Sequence, residues 1–135
     1  RMKKIGTILC LLLLTFLLEG CRMVKIKEAD REPLKYTVVE KQQLPREAAA
    51  LIEEKKKKEF QMAYQRGDEM YLIKGYGRQM SGGYSIQVTD LSVSSNAIFF
   101  ATKLIGPSES EKGGEPSYPW IAVKIPYREG PVEFD

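Results

Sequence analysis

The chain predicts an α+β fold that is mainly antiparallel β, with about six strands and one N-terminal helix packed on the sheet. Two observations carry this prediction. A single window has apolar residues at helical spacing, and several short windows alternate apolar with polar residues. The strand windows are joined by short turns rather than by helices, which favours antiparallel neighbours over parallel ones.

The window 45–59 predicts the helix. Ala48, Leu51 and Ile52 recur at helical spacing and form one apolar face. The lysine run 55–58 suits a helix C-terminus, because cations there offset the helix dipole. The same run also has the composition of a patch that binds polyanions or membranes. A solvated helix end is the simpler interpretation.

The expected strands are rich in β-branched and aromatic residues, as strands usually are. They are 36–40, 60–65, 69–75, 84–88, 97–104 and 119–125, with a further short piece at 132–134. The clearest alternation lies in 84–88, where Tyr84, Ile86 and Val88 are separated by polar residues. This pattern predicts a strand with one buried and one solvated face.

The first 20 residues have the layout of a secretory signal peptide. Basic residues open the chain, and an uncharged apolar run follows at 5–18. The run leads into Leu18-Glu19-Gly20-Cys21, which resembles a bacterial lipoprotein signal. Glu19 departs from that pattern, since an uncharged residue is usual there. In such signals the cysteine carries the lipid, typically palmitate, so Cys21 is the predicted lipidation site.

The predicted organisation is therefore a signal peptide at 1–20, a charged tether at 21–34 and a single β-rich domain at 35–135. Two alternatives remain for the N-terminus, an uncleaved membrane anchor and a soluble secreted form. The apolar run has 14 residues, which is short of the roughly 20 that span a bilayer.

Composition excludes several classes of chemistry. The chain has no histidine, so Ser-His-Asp and Cys-His catalysis and histidine-based metal sites are excluded. Its only cysteines are Cys10, inside the signal peptide, and Cys21. We therefore expect no disulfide, metal, cofactor or enzymatic activity in the domain.

Net charge argues against a nucleic-acid partner. The whole chain has 21 basic and 18 acidic residues. Without the signal residues Arg1, Lys3, Lys4 and Glu19 these numbers become 18 and 17. A nearly neutral domain has no electrostatic basis for binding phosphate backbones.

Two loops are candidates for binding a partner. Residues 75–83 contain four glycines, and residues 106–117 are long and polar. Aromatic residues and arginine are common interface anchors. The candidate partner-binding residues are Tyr76, Arg78, Gly82, Gly83, Tyr84, Tyr118 and Trp120. For the paired glycines a hairpin turn is the simpler interpretation, and for Tyr84 and Trp120 core packing is an alternative.

The order of motifs in residues 60–126 resembles the C-terminal domain of the protease-complex subunit PrcB family. The segment YLIKG at 71–75 precedes SGGYSIQV at 81–88. Gly106-Pro107 then opens a polar loop, and YPWIAVKIP at 118–126 closes the pattern. Ser81 stands where threonine is more usual. The resemblance implies a small secreted or lipid-anchored bacterial protein that assists an exported protease without being catalytic itself.

The sequence thus predicts a membrane-tethered, extracytoplasmic accessory protein. It would sit on the outer face of the bacterial cell membrane, held by lipidated Cys21, and support an exported protease complex or another envelope protein. The alternative is an envelope lipoprotein that binds a small ligand, a peptide or a glycan, with aromatic residues near Trp120 stacking on the ligand. A structural envelope lipoprotein is a third interpretation.

Overall fold

The computed structural model describes residues 31–135. The predicted signal peptide, Cys21 and most of the predicted tether lie outside the described residues. One helix, α1 (Arg46–Lys55), follows a single 3₁₀ turn at Lys41–Gln43 within this range. The strands are β1 (Glu32–Pro33), β2 (Thr37–Val39), β3 (Glu59–Arg66), β4 (Glu69–Tyr76), β5 (Ser85–Val93), β6 (Ile98–Ile105), β7 (Trp120–Pro126) and β8 (Val132–Phe134).

The strands form two four-stranded sheets. Sheet A has the order β1-β5-β6-β8, and sheet B has the order β2-β7-β4-β3. Neighbours pair antiparallel except β6 and β8, which are parallel. The mainly antiparallel prediction is confirmed, but the described residues contain eight strands in two sheets rather than about six in one. β1 and β8 have two and three residues, too few to establish a period in the sequence.

The main core lies between the two sheets. Sheet B contributes Leu72 and Val123, and sheet A contributes Ile98 and Phe100, all almost fully buried. Alternate residues of each strand enter this core, as expected for sheets that pack face to face. The domain is therefore a β-sandwich, because each sheet supplies one apolar face to the same core.

Helix α1 covers the outer face of sheet B. Ile52 packs with Tyr71 and Ile73 of β4 in a second apolar cluster. Sheet B is thus buried on both faces, which explains the nearly continuous burial of β4. The prediction that the helix packs on a sheet agrees with the structure in outline.

The helix is shorter than predicted. It ends at Lys55, whereas the expected helix ran to residue 59. Glu59 instead begins β3, where it pairs with Tyr76 of β4. The sequence prediction was wrong here because strand pairing with a distant segment outweighs local helical preference.

Strand β5 is longer than its alternating pattern indicates. The pairing with β6 slips between Val88 and Asp90, which marks a β-bulge. A bulge inserts one extra residue into the strand. Beyond it, the alternation of side chains between the two faces is shifted by one position. Ile86 and Val88 before the bulge therefore share the core with Leu91 and Val93 after it.

The sandwich has two distinct ends. At one end, which we call the loop end, lie the loop 77–84, the loop 106–119 and residues 56–58 that follow the helix. At the other end β1 starts, with Glu32 opposite Val93 at the far end of β5. We call this the entry end. Arg31 lies there too, paired with Asp90 and stacked 4.0 Å above the Phe99 ring.

Candidate functional site

The two loops of the loop end are joined into one surface. Gln79 and Ser117 form an isolated antiparallel bridge, with N···O distances of 2.8 and 3.0 Å. The Ser117 hydroxyl also donates to the Ser81 carbonyl at 2.7 Å. The backbone N–H of Tyr76 donates to the Pro119 carbonyl at 3.0 Å. Each loop therefore has a position defined by the other.

The paired glycines make this close approach possible. Gly83 has φ +85°, in the left-handed region that favours glycine. A Cβ at Gly83 would lie 2.7 Å from the Glu111 carbonyl oxygen and 2.8 Å from the Pro107 Cβ. Gly82 faces Gly113 across the same contact. A Cβ at Gly82 would lie 4.0 Å from the Gly113 Cα. Gly82 and Gly83 thus serve loop-to-loop packing rather than a hairpin between adjacent strands.

Two of the predicted tyrosines support the surface from beneath. Tyr76 is half-buried, and its hydroxyl is hydrogen-bonded to that of Thr102, which links sheet B to sheet A. Tyr84 is half-buried against Gly106, at the start of the second loop. Their rings stabilise the loop end from within and leave limited area for a partner.

The Trp120 side chain lies on the helix-covered face of sheet B. It is opposite Gly75 at the start of β7 and packs against the second apolar cluster beneath helix α1. The structure therefore brings six of the seven predicted residues to the loop end, and places the seventh in the layer between helix and sheet.

Exposed cationic side chains cluster on one side of the loop end, where residues 56–58 meet the first loop. Arg78 is exposed, and its backbone N–H donates to the Lys57 carbonyl at 3.3 Å. Tyr118 is half-buried, with the Lys56 ammonium 5.5 Å from its ring centroid. Among residues 31–135, no carboxylate lies within ion-pair distance of Lys55, Lys57, Lys58 or Arg78. An open cavity of about 510 Å³ lies beside these lysines, and its floor includes Phe60.

Sequence reasoning missed Met80 as a candidate. It is 79% exposed, more than the other exposed large hydrophobic residues of the described part. A methionine between Gln79 and Ser81 in a polar loop was the available signal. An exposed, flexible apolar side chain beside arginine is typical of a surface that binds another protein.

An ion pair between a nearly buried lysine and an exposed glutamate lies at the same end of sheet B. The Lys74 ammonium is 2.8 Å from a Glu59 carboxylate oxygen, and the side chains are 11% and 66% exposed. Lys74 also lies 5.3 Å from the Tyr76 ring centroid. The ion pair links the first residue of β3 to β4.

Residues 31–135 contain no group of three or more histidine, cysteine, aspartate or glutamate side chains arranged to hold a metal ion. No helix within the same range has the length and apolar character needed to cross a bilayer.

Comparison with known protein families gives one match. Residues 70–126 match the family described as PrcB C-terminal. The match runs from β4 to β7, so it includes both loops and the central strands of both sheets. Comparisons with curated proteins and with solved structures found no match. The resemblance seen in the sequence is confirmed, because the segment that contains both loops and the central strands of the sandwich matches the PrcB C-terminal family model.

Proposed function

We propose that this protein is a membrane-tethered, extracytoplasmic and non-catalytic accessory subunit that binds an exported protease complex through its loop end. The single observation that carries the proposal is the coincidence of the family match with the loop end. Residues 70–126 include both loops and all seven predicted partner-binding residues. The family description suggests an association with a protease complex.

The chemistry of the loop end supports binding. Met80 and Arg78 present an apolar and a cationic side chain from one loop, and the second loop holds that loop in place. A surface ordered before binding loses less conformational entropy when a partner docks. Methionine and arginine are also enriched at protein interfaces.

The position of the tether supports the same surface. The chain enters at the entry end, where Glu32 pairs with Val93. A tether that starts at lipidated Cys21 would therefore not cover the loop end. The ten residues from 21 to 30 reach roughly 35 Å when extended, enough to hold the domain clear of lipid headgroups.

Crosslinking in cells tests the partner. A photoreactive group is placed at Arg78 or at Ser110 in the full chain, with Glu129 at the entry end as the control position. We expect both loop positions to crosslink to the same exported protease and Glu129 to give at least tenfold less product. Crosslinks at Arg78 and Ser110 to unrelated proteins only, or equal yields at Glu129, would overturn the proposal.

A matched pair of substitutions tests the surface. Met80→Glu replaces the exposed apolar side chain of the loop end with a charge, so capture of the protease should fall at least tenfold. Tyr127→Glu makes the same kind of change at the entry end, where the tyrosine is 37% exposed, and capture should stay within twofold. Equal capture by both variants would remove Met80 and its loop from the interface.

The alternative of a small-ligand or glycan-binding lipoprotein has less support. It relied on aromatic residues near Trp120 to stack on the ligand, and Trp120 itself is half-buried against the cluster beneath helix α1. A ligand that quenched Trp120 fluorescence would have to reach that layer.

A further inference from the structure

Four positively charged side chains at the loop end have no anionic partner within residues 31–135. We call this group the cationic patch, and it consists of Lys55, Lys57, Lys58 and Arg78. All four are exposed, and none has a carboxylate within ion-pair distance in the described part of the chain. The remaining lysine of the run, Lys56, is already paired, since its ammonium lies 2.7 Å from a Glu53 carboxylate oxygen.

The helix dipole accounts for only part of this charge. Helix α1 ends at Lys55, and Lys56 is its C-terminal cap. Cations in the last turn of a helix offset the dipole, and the effect falls off within that turn. Lys57 and Lys58 lie between the cap and Glu59, the first residue of β3. Their charges are therefore not explained by stabilisation of the helix.

Tertiary packing adds Arg78 to the lysines. Gly77 has φ +74°, and a Cβ at this residue would lie 2.9 Å from the Glu59 backbone nitrogen. The backbone N–H of Arg78 donates to the Lys57 carbonyl at 3.3 Å. These backbone contacts hold the first loop against the turn between α1 and β3. Arg78 therefore joins the patch from a separate segment of the chain.

The patch borders an open cavity of about 510 Å³. The residues that line this cavity are Glu54, Lys55, Lys57, Lys58, Glu59 and Phe60. Because the Glu59 carboxylate is paired with Lys74, free ammonium groups outnumber free carboxylates there. Phe60 is half-buried, so part of its ring remains accessible. A ligand in the cavity would meet several cations beside an apolar surface.

The positive charge is segregated and does not follow from a basic composition. Outside the predicted signal the chain has 18 basic and 17 acidic residues. The second loop carries Glu109, Glu111 and Glu115, and none of them lies within ion-pair distance of the patch. A single exposed ion pair contributes little to binding, so a group of adjacent cations is what makes an acidic ligand favourable here.

Three features favour an acidic polypeptide over other anions. Phe60 adds an apolar component, which a peptide with a hydrophobic side chain can use and a phosphate polymer cannot. Arg78 and Met80 lie in the same loop, so the patch adjoins the surface of the proposed function. The chain enters the domain at the entry end, so the patch lies at the end away from the predicted tether and its membrane.

We propose that the cationic patch binds an acidic segment of the protease complex. Carboxylates of this segment pair with Lys57, Lys58 and Arg78, and an apolar side chain packs against Phe60. The inference rests on the proposed function and specifies the chemistry by which the partner is recognised. Complementary charges at an interface chiefly raise the rate of association and make it depend on salt.

A labelled peptide tests the chemistry of the patch without the protease. The probe is a fluorescein-labelled peptide of glutamates interrupted by leucines, and its control has glutamine at every glutamate position. The full chain, kept in a neutral detergent, should bind the glutamate peptide at least tenfold more tightly at low salt. Equal affinity for the two peptides would overturn the proposal.

Two double variants locate the site of peptide binding. Lys57→Glu with Lys58→Glu reverses two charges of the patch and should weaken binding of the glutamate peptide at least tenfold. Lys35→Glu with Lys103→Glu changes the net charge equally at exposed positions outside the patch, and binding should stay within threefold. Far-UV circular dichroism checks that both variants fold. Equal weakening by the two variants would mean that only total charge matters, and would exclude the patch as the site.

Crosslinking in cells identifies the natural occupant. A photoreactive group at Glu54, which lines the cavity, leaves all four cations in place. It should join the full chain to an exported protease through a peptide rich in aspartate and glutamate. The Lys57→Glu, Lys58→Glu double variant should lower this yield at least tenfold. A product with lipid or with a phosphate polymer would overturn the proposal.

The outcomes separate this inference from the proposed function. Capture of the protease at Arg78 and Ser110 without any acidic peptide at Glu54 would overturn the inference and leave the proposed function standing. Selective binding of the glutamate peptide, together with a crosslinked acidic protein that is not part of a protease complex, would overturn the proposed function and retain recognition of an acidic segment.

Discussion

Gly83 is the residue whose backbone most directly determines the shape of the candidate site. Its positive φ and its contacts with Glu111 and Pro107 leave no room for a side chain. We expect Gly83→Ala to lower the free energy of unfolding by about 1–3 kcal/mol, since a non-glycine residue is strained in this region. Thermal and urea unfolding measure the change.

Gly114 is the matched control for that substitution. It lies in the polar loop that packs against Gly83, its φ is not in the left-handed region, and a Cβ there would meet nothing within 4 Å. Gly114→Ala should change the free energy of unfolding by less than about 0.5 kcal/mol, as is usual for a surface substitution. Equal effects at both positions would mean that loop contact does not constrain Gly83.

A second residue, Glu53, makes stability depend on pH. Hydrogen bonds from Lys41 and Lys56 lower the pKa of Glu53 from 4.5 to about 2. Because the folded-state pKa is depressed, the stabilisation is complete above about pH 4.5 and is lost as the pH falls toward 2. The melting temperature of Glu53→Gln should therefore lie below that of the wild type at pH 6, and the difference should shrink over this acid range.

Glu54 provides the comparison for Glu53. It is the next residue of the helix, and no lysine lies within ion-pair distance of its carboxylate among residues 31–135. Glu54→Gln should follow the wild-type melting curve at every pH between 2 and 6. A pH-dependent difference for Glu54→Gln as large as that for Glu53→Gln would assign the effect to helix charge in general.

At the scale of elements, the sequence predicted most of the strands but not their grouping. The alternation of 84–88 and the apolar character of 69–75 correspond to β5 and β4. The division into two sheets depends on which distant strands pair, and a periodic pattern carries no information on partners. The end of the helix was misplaced for the same reason, since pairing of Glu59 with Tyr76 is a long-range contact.

The residue types of the candidate site could be predicted from the sequence, but their spatial arrangement could not. Its glycines and aromatic residues were evident from the sequence, and six of the seven candidates lie at the loop end. The roles of Gly83 and Trp120 follow from contacts with segments far along the chain. The exposure of Met80 depends on whether a distant segment packs over it, so it could not be predicted from the sequence alone.

At the scale of the whole molecule, sheet B couples the two apolar clusters. Leu72 of β4 faces the sandwich core, and the adjacent Ile73 faces the helix. We expect one cooperative unfolding transition, because neither cluster can lose its packing without exposing sheet B. Trp120 is the only tryptophan and reports on the helix side, while far-UV circular dichroism reports on both sheets.

Coincident midpoints from fluorescence and circular dichroism would agree with that expectation. Ile52→Ala provides a stronger comparison, because it removes a fully buried side chain from the helix layer and should cost about 2–5 kcal/mol. Both signals should shift together in this variant. A shift of the fluorescence midpoint alone would show that the helix layer unfolds separately from the sandwich.

Local patterns in the amino-acid sequence are sufficient to predict the local features of this protein. Hydrophobic periodicity placed the strands and the start of the helix, the absence of histidine excluded whole classes of chemistry, and the glycine-rich loop indicated the family. The tertiary structure alone decided that the strands form two sheets, that the two loops meet, and that Arg78 lies beside the lysines that follow the helix. These properties depend on contacts between residues distant in sequence, whose formation is governed by the packing of complete faces rather than by local preference.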